Sequence, residues 1–455
     1  IIDGAQAFVE LIPHGEDIFG QDEEVKYLVL GHSADELRAT GGFVSAIWLV
    51  TLKGLSDIKI DYFDVVKVDD RSKLDEHKKP PRGLEENMGA WVWLMRDVSW
   101  NPDFPSTAKE ASRMFQISTG IEVDGVVAIN QWFLADLVHA MDGIRVNTSD
   151  HITPKNFIEI LEYKTDELGR EYTDDVFRAV LEKLKEVKSI GSIKRISNAF
   201  SKGAREKNLM VSLHKLQLSE TQFVKSLSGE IASKEGDFIF VVDSNVGWSK
   251  SDRNIERRIK YEMNLSDLIS PRATLTLGYV NYSDLSGPRC EPQWRKRGSD
   301  YRSFKNACYW NFARVYLPEK LNNFSHEYIP LPRYSVPVYL DYYEEGAHSG
   351  YLEQDGAHSV YGVLLQIEAG DVLDHKIEYG LPASLIANNG SNYRYTLHLQ
   401  KQPGARNRHI EIQIILPENA VIQNIQPSGI VAVDSILSFV SKLDRDIEIV
   451  VDFRK

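Results

Sequence analysis

The chain has 455 residues, a length that predicts two or three domains, each large enough to bury its own core. Hydrophobic residues make up 42% and charged residues 26% of the sequence, and the formal net charge is −13. This acidic balance excludes a protein that binds nucleic acid through overall positive charge. No run of 18 apolar residues is present, so the sequence offers no membrane-spanning helix.

The first half of the chain combines strand patterns with helix patterns. Apolar or alternating runs predict four strands, at Tyr27–Leu30, Val44–Leu52, Lys59–Val66 and Gly125–Ile129. Amphipathic spacing predicts four helices, at Ser106–Thr119 with Ser106 as N-cap, Gln131–Met141, Thr173–Val187 and Ser219–Ile231. The nearly continuous apolar run Phe238–Asp243 predicts a buried strand. This alternation predicts an α/β domain with a mixed sheet and flanking helices, which we place at residues 22–265.

From about residue 270 the pattern changes to short alternating strands separated by Pro, Gly and Asn turns. The predicted strands are Ala273–Tyr279, Trp310–Tyr316, Val336–Tyr342, Val360–Glu368, Asp374–Glu378, Tyr393–Gln400, His409–Leu416 and Ile447–Phe453. Such a series without long helical periods is typical of an all-β, immunoglobulin-like sandwich, which we place at residues 270–455. The boundary is expected around Asn264–Arg272, where a proline follows a polar stretch.

The stretch 27–43 contains the first candidate site. Its predicted strand ends in a polar loop with Glu36 and Arg38, and the loop continues through Thr40 and Gly41 into the next apolar run. Glycines allow the backbone to approach a ligand closely, and the planar guanidinium suits phosphate or carboxylate. The alternative is a tight turn with a solvated Glu/Arg pair.

A second charged loop follows the apolar run Ala90–Met95. It contains Arg96 and Asp97, and Asp103 lies just before the predicted helix at Ser106. The two aspartates can hold Mg²⁺ through oxygen ligands, while Arg96 faces an anion. The alternative is a rigid loop whose aspartates cap turns and the following helix.

A third charged loop follows the predicted strand Phe238–Asp243. In an open α/β sheet, loops at the carboxyl ends of strands form the ligand crevice, and on that assumption the three loops converge. The site then has four catalytic candidates: Glu36, Arg38, Arg96 and Asp97. The ligand-binding candidates are Thr40, Gly41, Asp103, Asp243, Asn245, Lys250 and Arg253, with Asp97 and Asp103 as metal ligands. The alternative is that these charges pair with one another on the surface.

The sequence has two cysteines, Cys290 and Cys308. A disulfide closing this loop would stabilise the fold by roughly 3 kcal/mol and would indicate an oxidising compartment. The alternative is a pair of buried thiols in a cytosolic protein, although we favour the disulfide. The basic stretch Arg289–Arg302 is either a contact for a polyanionic polymer or headgroups, or a solvated hairpin loop.

These segments together resemble the bacterial domain-of-unknown-function family 4012 (DUF4012). The resembling segments, in the family's order, are LVLGHSADELRATGGFVSAIWLVTL, RDVSWNPDFPSTA, GIEVDGVVAINQWFLADLVHAMDGIRV, FVVDSNVGWSKSDRNIERRIKYEMNL, CYWNFARVYLP and KQPG. The resemblance implies an extracytoplasmic envelope protein, anchored by a membrane helix that precedes this sequence. Residues 1–21 are then expected to form a lead-in after that anchor.

A more distant similarity is to the LytR–CpsA–Psr phosphotransferases, which move glycopolymers from a polyprenyl-diphosphate carrier to the cell wall. The acid–Arg–Thr arrangement of Glu36, Arg38 and Thr40 resembles their first-loop signature. Their Ile-Pro-Arg-Asp motif has no match, because the chain reads Asp64-Val-Val there. Their later run of arginines has at best Arg170 as a remnant, together with Arg178.

The resemblance implies a LytR–CpsA–Psr-like first domain that binds a polyprenyl-linked or phosphorylated glycan. If this domain is an enzyme, the implied reaction is the Mg²⁺-assisted transfer of the glycan to the cell wall. Arg38 and Arg96 would neutralise diphosphate, Asp97 or Asp103 would hold the metal, and Glu36 would orient Arg38 or act as a base. The alternative is a non-catalytic adaptor with a degenerate fold and envelope protein partners.

Two further groups of residues are candidates for the same site. His32 lies nearest the first loop and offers a base, although a loop histidine is more often a hydrogen-bonding surface residue. An apolar wall for a prenyl tail would come from Phe43, Ile47, Trp91, Trp132 and Phe133, which are equally expected in an ordinary core.

Overall fold

The computed structural model describes residues 12–20, 23–54, 56–69, 71–147, 150–284, 290, 304–331 and 350–455. The chain divides into two compact units. The first, which we call the α/β unit, comprises Ile1–Glu86 and Ala90–Ile231. The second, the sandwich unit, comprises Asn87–Gly89 and Ala232–Lys455. The predicted strand Val336–Tyr342 and most of the basic stretch 289–302 lie outside the described residues.

The α/β unit is built on a five-stranded mixed sheet. The strands of this sheet are β1 (Val25–Ser33), β2 (Phe43–Lys53), β3 (Asp57–Phe63), β4 (Gly125–Asn130) and β7 (Leu209–Leu213). Strands β5 (Ile144–Val146) and β6 (Asp150–Ile152) form a separate two-stranded sheet. The strand order is β3-β2-β1-β4-β7. Strands β1 and β4 run parallel, and the other neighbours are antiparallel. The carboxyl ends of β1 and β4 therefore lie at the same edge of the sheet.

Helices cover both faces of this sheet. They are α1 (Gly15–Phe19), α2 (Val65–Val68), α3 (Arg82–Met88), α4 (Phe104–Thr119), α5 (Gln131–Ala140), α6 (Phe157–Leu168), α7 (Glu171–Lys185), α8 (Ile190–Arg205), α9 (Leu216–Ser219) and α10 (Gln222–Leu227). Short 3₁₀ turns occur at Ile12–His14, Arg71–Glu76 and Met95–Trp100. Because strand side chains alternate, Leu28 packs with Phe115 of α4, whereas Val29 packs with Phe177 of α7 in a second core. The predicted α/β class with flanking helices is confirmed.

Local capping explains where the main helices begin and end. Asp103 accepts a hydrogen bond from the Ser106 backbone N–H at 3.0 Å, so α4 begins at Phe104 and its cap is Asp103 rather than the predicted Ser106. Helix α4 ends at Gly120, whose φ of 75° favours glycine. The predicted helix 219–231 is instead the pair α9 and α10, and helices α6 and α8 were not predicted.

The sandwich unit contains two large sheets. Their strands are β8 (Asp237–Asn245), β9 (Ile255–Asn264), β10 (Arg272–Asn281), β11 (Tyr309–Pro318), β12 (Asn322–His326), β13 (Tyr351–Asp355), β14 (His358–Ile367), β15 (Val372–Gly380), β16 (Ala387–Asn389), β17 (Asn392–Gln400), β18 (Arg408–Ile415), β19 (Val421–Gln426), β20 (Val431–Val433), β21 (Ile436–Lys442) and β22 (Ile447–Arg454). One sheet has the order β12-β15-β10-β9-β18-β21-β20. The other has the order β13-β14-β11-β8-β17-β22-β19, with β16 beside β17.

Both sheets contribute to one apolar core, which includes Val241 and Leu397 from the eight-stranded sheet and Ile259 and Leu275 from the other. This shared core confirms the predicted all-β sandwich. The two sheets have seven and eight described strands, and together they exceed the roughly seven to nine strands of an immunoglobulin domain.

The predicted boundary between the domains was wrong. Strands β8 and β9 belong to the two sheets of the sandwich, so that unit begins at Ala232 rather than near residue 270. The run at 238–242 is apolar throughout because β8 lies in the interior of its sheet, where both faces are buried. A parallel α/β sheet produces the same pattern, and for this reason the run was assigned to the wrong unit.

Cys290 and Cys308 form the predicted disulfide, with Cα atoms 5.0 Å apart. Both residues are buried in the sandwich unit. Among the described residues, none of the helices is both long and apolar enough to cross a membrane.

Candidate functional site

The first candidate loop joins β1 to β2 and is closed by its own backbone. The Phe43 N–H donates to the Glu36 carbonyl at 2.8 Å, and the Gly41 N–H donates to the Arg38 carbonyl at 3.2 Å. Gly41 has a φ of 120°, and a Cβ there would lie only 2.8 Å from Nδ1 of His32. This close approach and the positive φ explain why the turn requires glycine at this position.

Arg38 lies at the centre of the loop with only 1% of its side chain exposed. Its Nη2 donates to Glu36 Oε1 at 3.0 Å and to Asp97 Oδ1 at 3.2 Å. Burial opposes the charge on Arg38, but the two carboxylates outweigh it and raise the pKa of the guanidinium. The structure therefore brings together the first and second predicted loops, and Arg38 is an ion-paired anchor rather than a solvated side chain.

The backbone also joins these two loops. The Thr40 N–H and hydroxyl both donate to the Ser99 carbonyl, at 3.1 and 3.3 Å. In return, the Ser99 hydroxyl donates to the Gly42 carbonyl at 2.6 Å. Thr40 and Ser99 are fully buried, so the predicted ligand-binding role of Thr40 gives way to one of holding the loops together.

Arg96 is the more accessible cation at this position. Its side chain is 36% exposed, and its Nε lies 3.7 Å from Oδ2 of Asp97, which is longer than a hydrogen bond. We use the name Arg38 cluster for Glu36, Arg38, Arg96 and Asp97. Of its members, only Arg96 presents a guanidinium that solvent and a ligand can reach.

Asp69, which was not predicted, lies beside this cluster. Its Oδ1 accepts a hydrogen bond from the Met95 N–H at 2.8 Å, and its buried Oδ2 has no hydrogen-bond partner among the described residues. Burial raises the pKa of Asp69 to about 6, while Met95 and Arg96 lower it only in part. No local sequence signal marks Asp69, because its burial arises from the packing of the 95–100 turn.

A second set of side chains lies around Phe43, where β2 begins. The guanidinium of Arg170 lies 5.7 Å from the centre of the Phe43 ring, and its Nη1 is 3.8 Å from Asp64 Oδ1. About a third of the Arg170 side chain is exposed. Arg178, by contrast, donates to Asp174 at 2.9 Å and to the Ile60 carbonyl. Of the two arginine remnants, only Arg170 remains close to the first loop.

The carboxyl ends of β1 and β4 are joined by a polar network that sequence reasoning missed. Gln131, the first residue of α5, accepts from the Ala34 N–H at 2.9 Å and donates to Asp35 at 3.2 Å. All three residues are buried. The sequence signal that could have identified Gln131 is the strand–helix junction in the GIEVDGVVAINQWF segment, because it places this residue at the start of the helix.

The predicted metal pair Asp97 and Asp103 does not fit the structure. Asp103 Oδ2 accepts hydrogen bonds from the Ser106 N–H and hydroxyl, and its Oδ1 accepts from the Ile231 N–H. Both of its oxygens thus cap α4 and hold a neighbouring loop. No group of three or more His, Cys, Asp or Glu among the described residues is arranged to hold a metal. Binding of Mg²⁺ therefore stays a prediction, and the described residues offer no set of ligands for it.

His32 is buried rather than on the surface. Burial lowers its pKa to about 4, despite a hydrogen bond with the Thr40 backbone, so the imidazole is neutral at neutral pH. Its Nε2 has no hydrogen-bond partner among the described residues. The side chain packs under Gly41 and supports the loop.

The candidates for the apolar wall have different surroundings. Ile47 and Phe133 are core residues, Phe43 and Trp132 are half-buried, and Trp91 is 88% exposed. Ile47 and Phe133 belong to the cores on opposite faces of the sheet, so the five residues do not form one wall.

The third predicted loop belongs to the sandwich unit, so its assumed convergence with the other two at one sheet edge was wrong. Asp243 is fully buried and accepts from Arg257 Nε at 2.9 Å and from Arg408. The Tyr279 hydroxyl and Asn311 each donate to its other oxygen at 2.7 Å. Burial alone would raise the pKa of Asp243, but Arg408 and Arg257 outweigh it and hold the pKa below its ordinary value.

Asp252 completes this network by accepting from Arg257, and we call Asp243, Asp252, Arg257 and Arg408 the Asp243 cluster. Asn245 is also fully buried and donates to Asp252 at 2.8 Å. These two predicted ligand-binding residues, Asp243 and Asn245, are therefore structural.

Lys250 and Arg253 are half-buried in the loop after β8. Arg253 lies in the 3₁₀ turn Ser251–Asn254, and the Lys250 N–H donates to the Phe304 carbonyl at 2.8 Å. Both belong to the sandwich unit and not to the sheet of the α/β unit.

The comparison with curated proteins found no match. Among solved structures, protein gbs0355 from Streptococcus agalactiae is similar at 18% identity, with 50% of this chain and 80% of that chain covered and a TM-score of 0.31. Bacillus subtilis TagV is 12% identical, with 46% and 81% covered and a TM-score of 0.30. Bacillus subtilis TagU is 14% identical, with 47% and 86% covered and a TM-score of 0.28. Similarities at this level carry no conclusion about activity, and the fold class follows from the strand orders given above.

The family model described as "Protein of unknown function (DUF4012)" matches residues 22–165. This segment contains β1 to β6 and the whole Arg38 cluster, whereas the resembling segments of the sandwich unit lie outside the match. The resemblance to this family that the sequence indicated is thereby confirmed over residues 22–165.

Proposed function

We propose that the α/β unit binds a phosphorylated envelope glycan, such as one linked to a polyprenyl diphosphate, at the Arg38 cluster. The observation that carries the proposal is the fixed pairing of Arg38 with Glu36 and Asp97 across two loops. Burying such a group costs desolvation energy, and the hydrogen bonds that offset the cost also hold the loops in one geometry. Arg38 is thus a positioning residue.

Arg96 is the group that would contact the ligand. Its guanidinium is partly exposed, and its distance of 3.7 Å from Asp97 leaves its donors available for phosphate oxygens. Arg170, which lies over the ring of Phe43, is a second partly exposed guanidinium near the same loop. Arginine suits this role because its planar fork donates two parallel hydrogen bonds to one phosphate.

An extracytoplasmic location is part of the same proposal. The disulfide between Cys290 and Cys308 supports it, because such bonds persist in oxidising compartments and are rare in the cytosol.

Binding is tested by calorimetric titration of the full chain with farnesyl diphosphate, a soluble lipid diphosphate, with farnesol as the uncharged control. We expect Arg96→Gln to weaken binding by at least about tenfold, the effect of losing a charge-assisted hydrogen bond. The matched control is Arg205→Gln on α8, because Arg205 is exposed and forms no ion pair among the described residues. Failure of the wild type to bind the diphosphate, or equal binding of diphosphate and farnesol, would refute the proposal.

A non-catalytic adaptor is the second candidate, and one observation favours it. At the position of the Pro-Arg-Asp signature the chain has Asp64, which accepts the Val66 N–H at 2.8 Å and caps the short helix α2. A catalytic arginine is therefore missing from this point of the site. Release of glycopolymer from a lipid-diphosphate donor separates the two candidates. Turnover that Arg96→Gln abolishes supports the transferase, whereas binding without turnover supports the adaptor.

A further inference from the structure

A shallow pocket of about 510 Å³ lies on the sandwich unit, over strands β16, β17, β22 and β19. Its lining includes Arg394 and Asp452, whereas their sequence neighbours Tyr395 and Val451 are buried in the core. Because strand side chains alternate, the pocket lies on the face of the eight-stranded sheet that is turned away from the core.

Carboxamides dominate this lining. The five are Asn388, Asn389, Asn392, Gln423 and Asn424. A carboxamide carries both a donor and an acceptor, which matches a hydroxyl group, itself both donor and acceptor. Among the described residues, the side chains of Asn388 and Asn389 form no hydrogen bond within the protein, so their polar atoms are available to a ligand.

The backbone is shaped to place these amides together. Strand β19 has a register shift between Ile422 and Asn424 where it pairs with β22. In a regular strand consecutive side chains point to opposite faces, but at a bulge two neighbours can face the same side. This irregularity explains how Gln423 and Asn424 both line the pocket.

Hydrogen bonds hold part of the lining in place. Gln423 Nε2 donates to Asn392 Oδ1 at 3.2 Å, and Asn424 Nδ2 donates to Asp452 Oδ2 at 3.1 Å. These contacts orient the amides, so the Asn424 Oδ1 acceptor and the Asn392 Nδ2 donors are directed by the protein before a ligand arrives.

The charges in the pocket balance. Arg394 Nε and Nη2 donate to the two oxygens of Asp452 at 2.6 and 3.0 Å. Arg394 is 59% exposed and Asp452 17%, so the pair forms part of the surface that a ligand meets. The lining contains one cation and one anion, which disfavours a strongly charged ligand. The ring of Tyr393 is turned to the core side of the sheet, where it stacks on Phe453 with centroids 5.5 Å apart, so the side chains of the pocket face are polar.

We propose that this pocket is a binding site for a neutral oligosaccharide. Carboxamides and a carboxylate paired with arginine offer donors and acceptors to sugar hydroxyls. The site is independent of the Arg38 cluster, because every lining residue belongs to the sandwich unit. The chain thus recognises carbohydrate by hydroxyl groups here, in addition to the phosphate recognition proposed for the α/β unit.

The test uses the fluorescently labelled full chain on an array of neutral oligosaccharides, with uronic-acid and phosphorylated oligosaccharides on the same slide. We expect the wild type to bind neutral members, and Asn424→Ala and Asp452→Ala to reduce the apparent affinity by about three- to tenfold, the effect of one or two hydrogen bonds. The matched control is Asn322→Ala, an exposed carboxamide on β12 of the other sheet, which should bind as the wild type does.

Three results would overturn the proposal: no binding of the wild type to any neutral member, binding to anionic members only, or unchanged binding in both pocket variants. All the substituted residues lie at the surface, and equal melting temperatures show that the variants are folded. Arg96→Gln should leave binding to the neutral members unchanged, while Asn424→Ala should leave farnesyl diphosphate binding unchanged. Failure of either site is therefore distinguishable from failure of the other.

Discussion

The Arg38 cluster of the α/β unit and the Asp243 cluster of the sandwich unit both pair arginine with carboxylate, but their surroundings differ. In the Asp243 cluster two arginines face two aspartates, and all four side chains are at most 3% exposed. In the Arg38 cluster the carboxylates are 12–14% exposed, and Arg96 is 36% exposed. Burial distinguishes a network that holds a fold together from one that a ligand can reach.

The carboxylate oxygens in the two regions differ in their hydrogen bonding. Each Asp243 oxygen accepts from two donors, and Gln402 spans the Asp243 backbone N–H and carbonyl. Beside the Arg38 cluster, Asp69 Oδ2 lacks a hydrogen-bond partner among the described residues. Arg408 Nε in the Asp243 cluster also lacks a hydrogen-bond partner among the described residues, so exposure rather than hydrogen bonding distinguishes the two clusters.

The largest effect should follow from breaking the Asp243 cluster. Asp243→Asn leaves Arg257 and Arg408 buried with too little negative charge, so we expect a loss of about 3–5 kcal/mol in the free energy of unfolding. Urea denaturation measures the loss, with the exposed Asp444→Asn as the control. A loss below about 1 kcal/mol would mean that the cluster is no more structural than a surface ion pair.

A smaller, pH-dependent effect should follow from removing the charge of Asp69. Burial raises the pKa of this carboxyl from its ordinary value of 3.8 to about 6, so ionisation destabilises the folded state. The wild type should lose stability as the pH rises from about 4 to 6, by up to about 3 kcal/mol. Asp69→Asn lacks this loss and should gain stability relative to the wild type above pH 6, with no such gain near pH 4.

Urea denaturation of the wild type and Asp69→Asn at pH 4 and pH 8 measures this difference. A difference between the two proteins that is the same at both pH values would contradict the buried, ionisable carboxyl.

The smallest effect on stability should come from Arg38→Gln. Glu36 and Asp97 lose their shared cation, but their partial exposure lets water replace some of the lost hydrogen bonds. We expect a cost of about 1–3 kcal/mol, less than that of Asp243→Asn. Denaturation of Arg38→Gln, Asp97→Asn and the double variant gives the coupling energy of the pair. An Arg38→Gln cost that equals or exceeds that of Asp243→Asn would remove the distinction between the clusters.

Four strands of the α/β unit were predictable because they are short apolar or alternating runs bounded by polar loops, whereas β5, β6 and β7 were not predicted. Strands β1, β2 and β4 lie where their hydrophobic runs indicate, with ends extended by a few residues. The assignment of 238–243 failed because a buried strand has the same pattern in a parallel sheet and in a sandwich. The predicted helix 219–231 failed because Thr221 caps α10 and so separates it from α9.

The candidate site was predictable in its members but not in its contacts. Arg38 and Asp97 were both identified from charged loops after apolar runs, but their pairing spans 59 positions and has no local signal. Asp69 and Gln131 were missed because their burial depends on tertiary packing. The Asp243 loop was included for the same reason, since a charged loop after a strand does not reveal how deeply it will be buried.

The position of β8 has a consequence for the order of folding. This strand is the first of the sandwich in sequence, and it pairs with β11 on one side and with β17 on the other, where Asp237 lies opposite Leu397. Most of the sandwich sequence must therefore be available before the middle of the eight-stranded sheet can close. Folds dominated by such distant pairings form slowly, on the millisecond-to-second scale. We expect the α/β unit to become ordered first, because its strands β1, β2 and β3 pair in sequence. Strand β8 is expected to pair only after β11 and β17 are available.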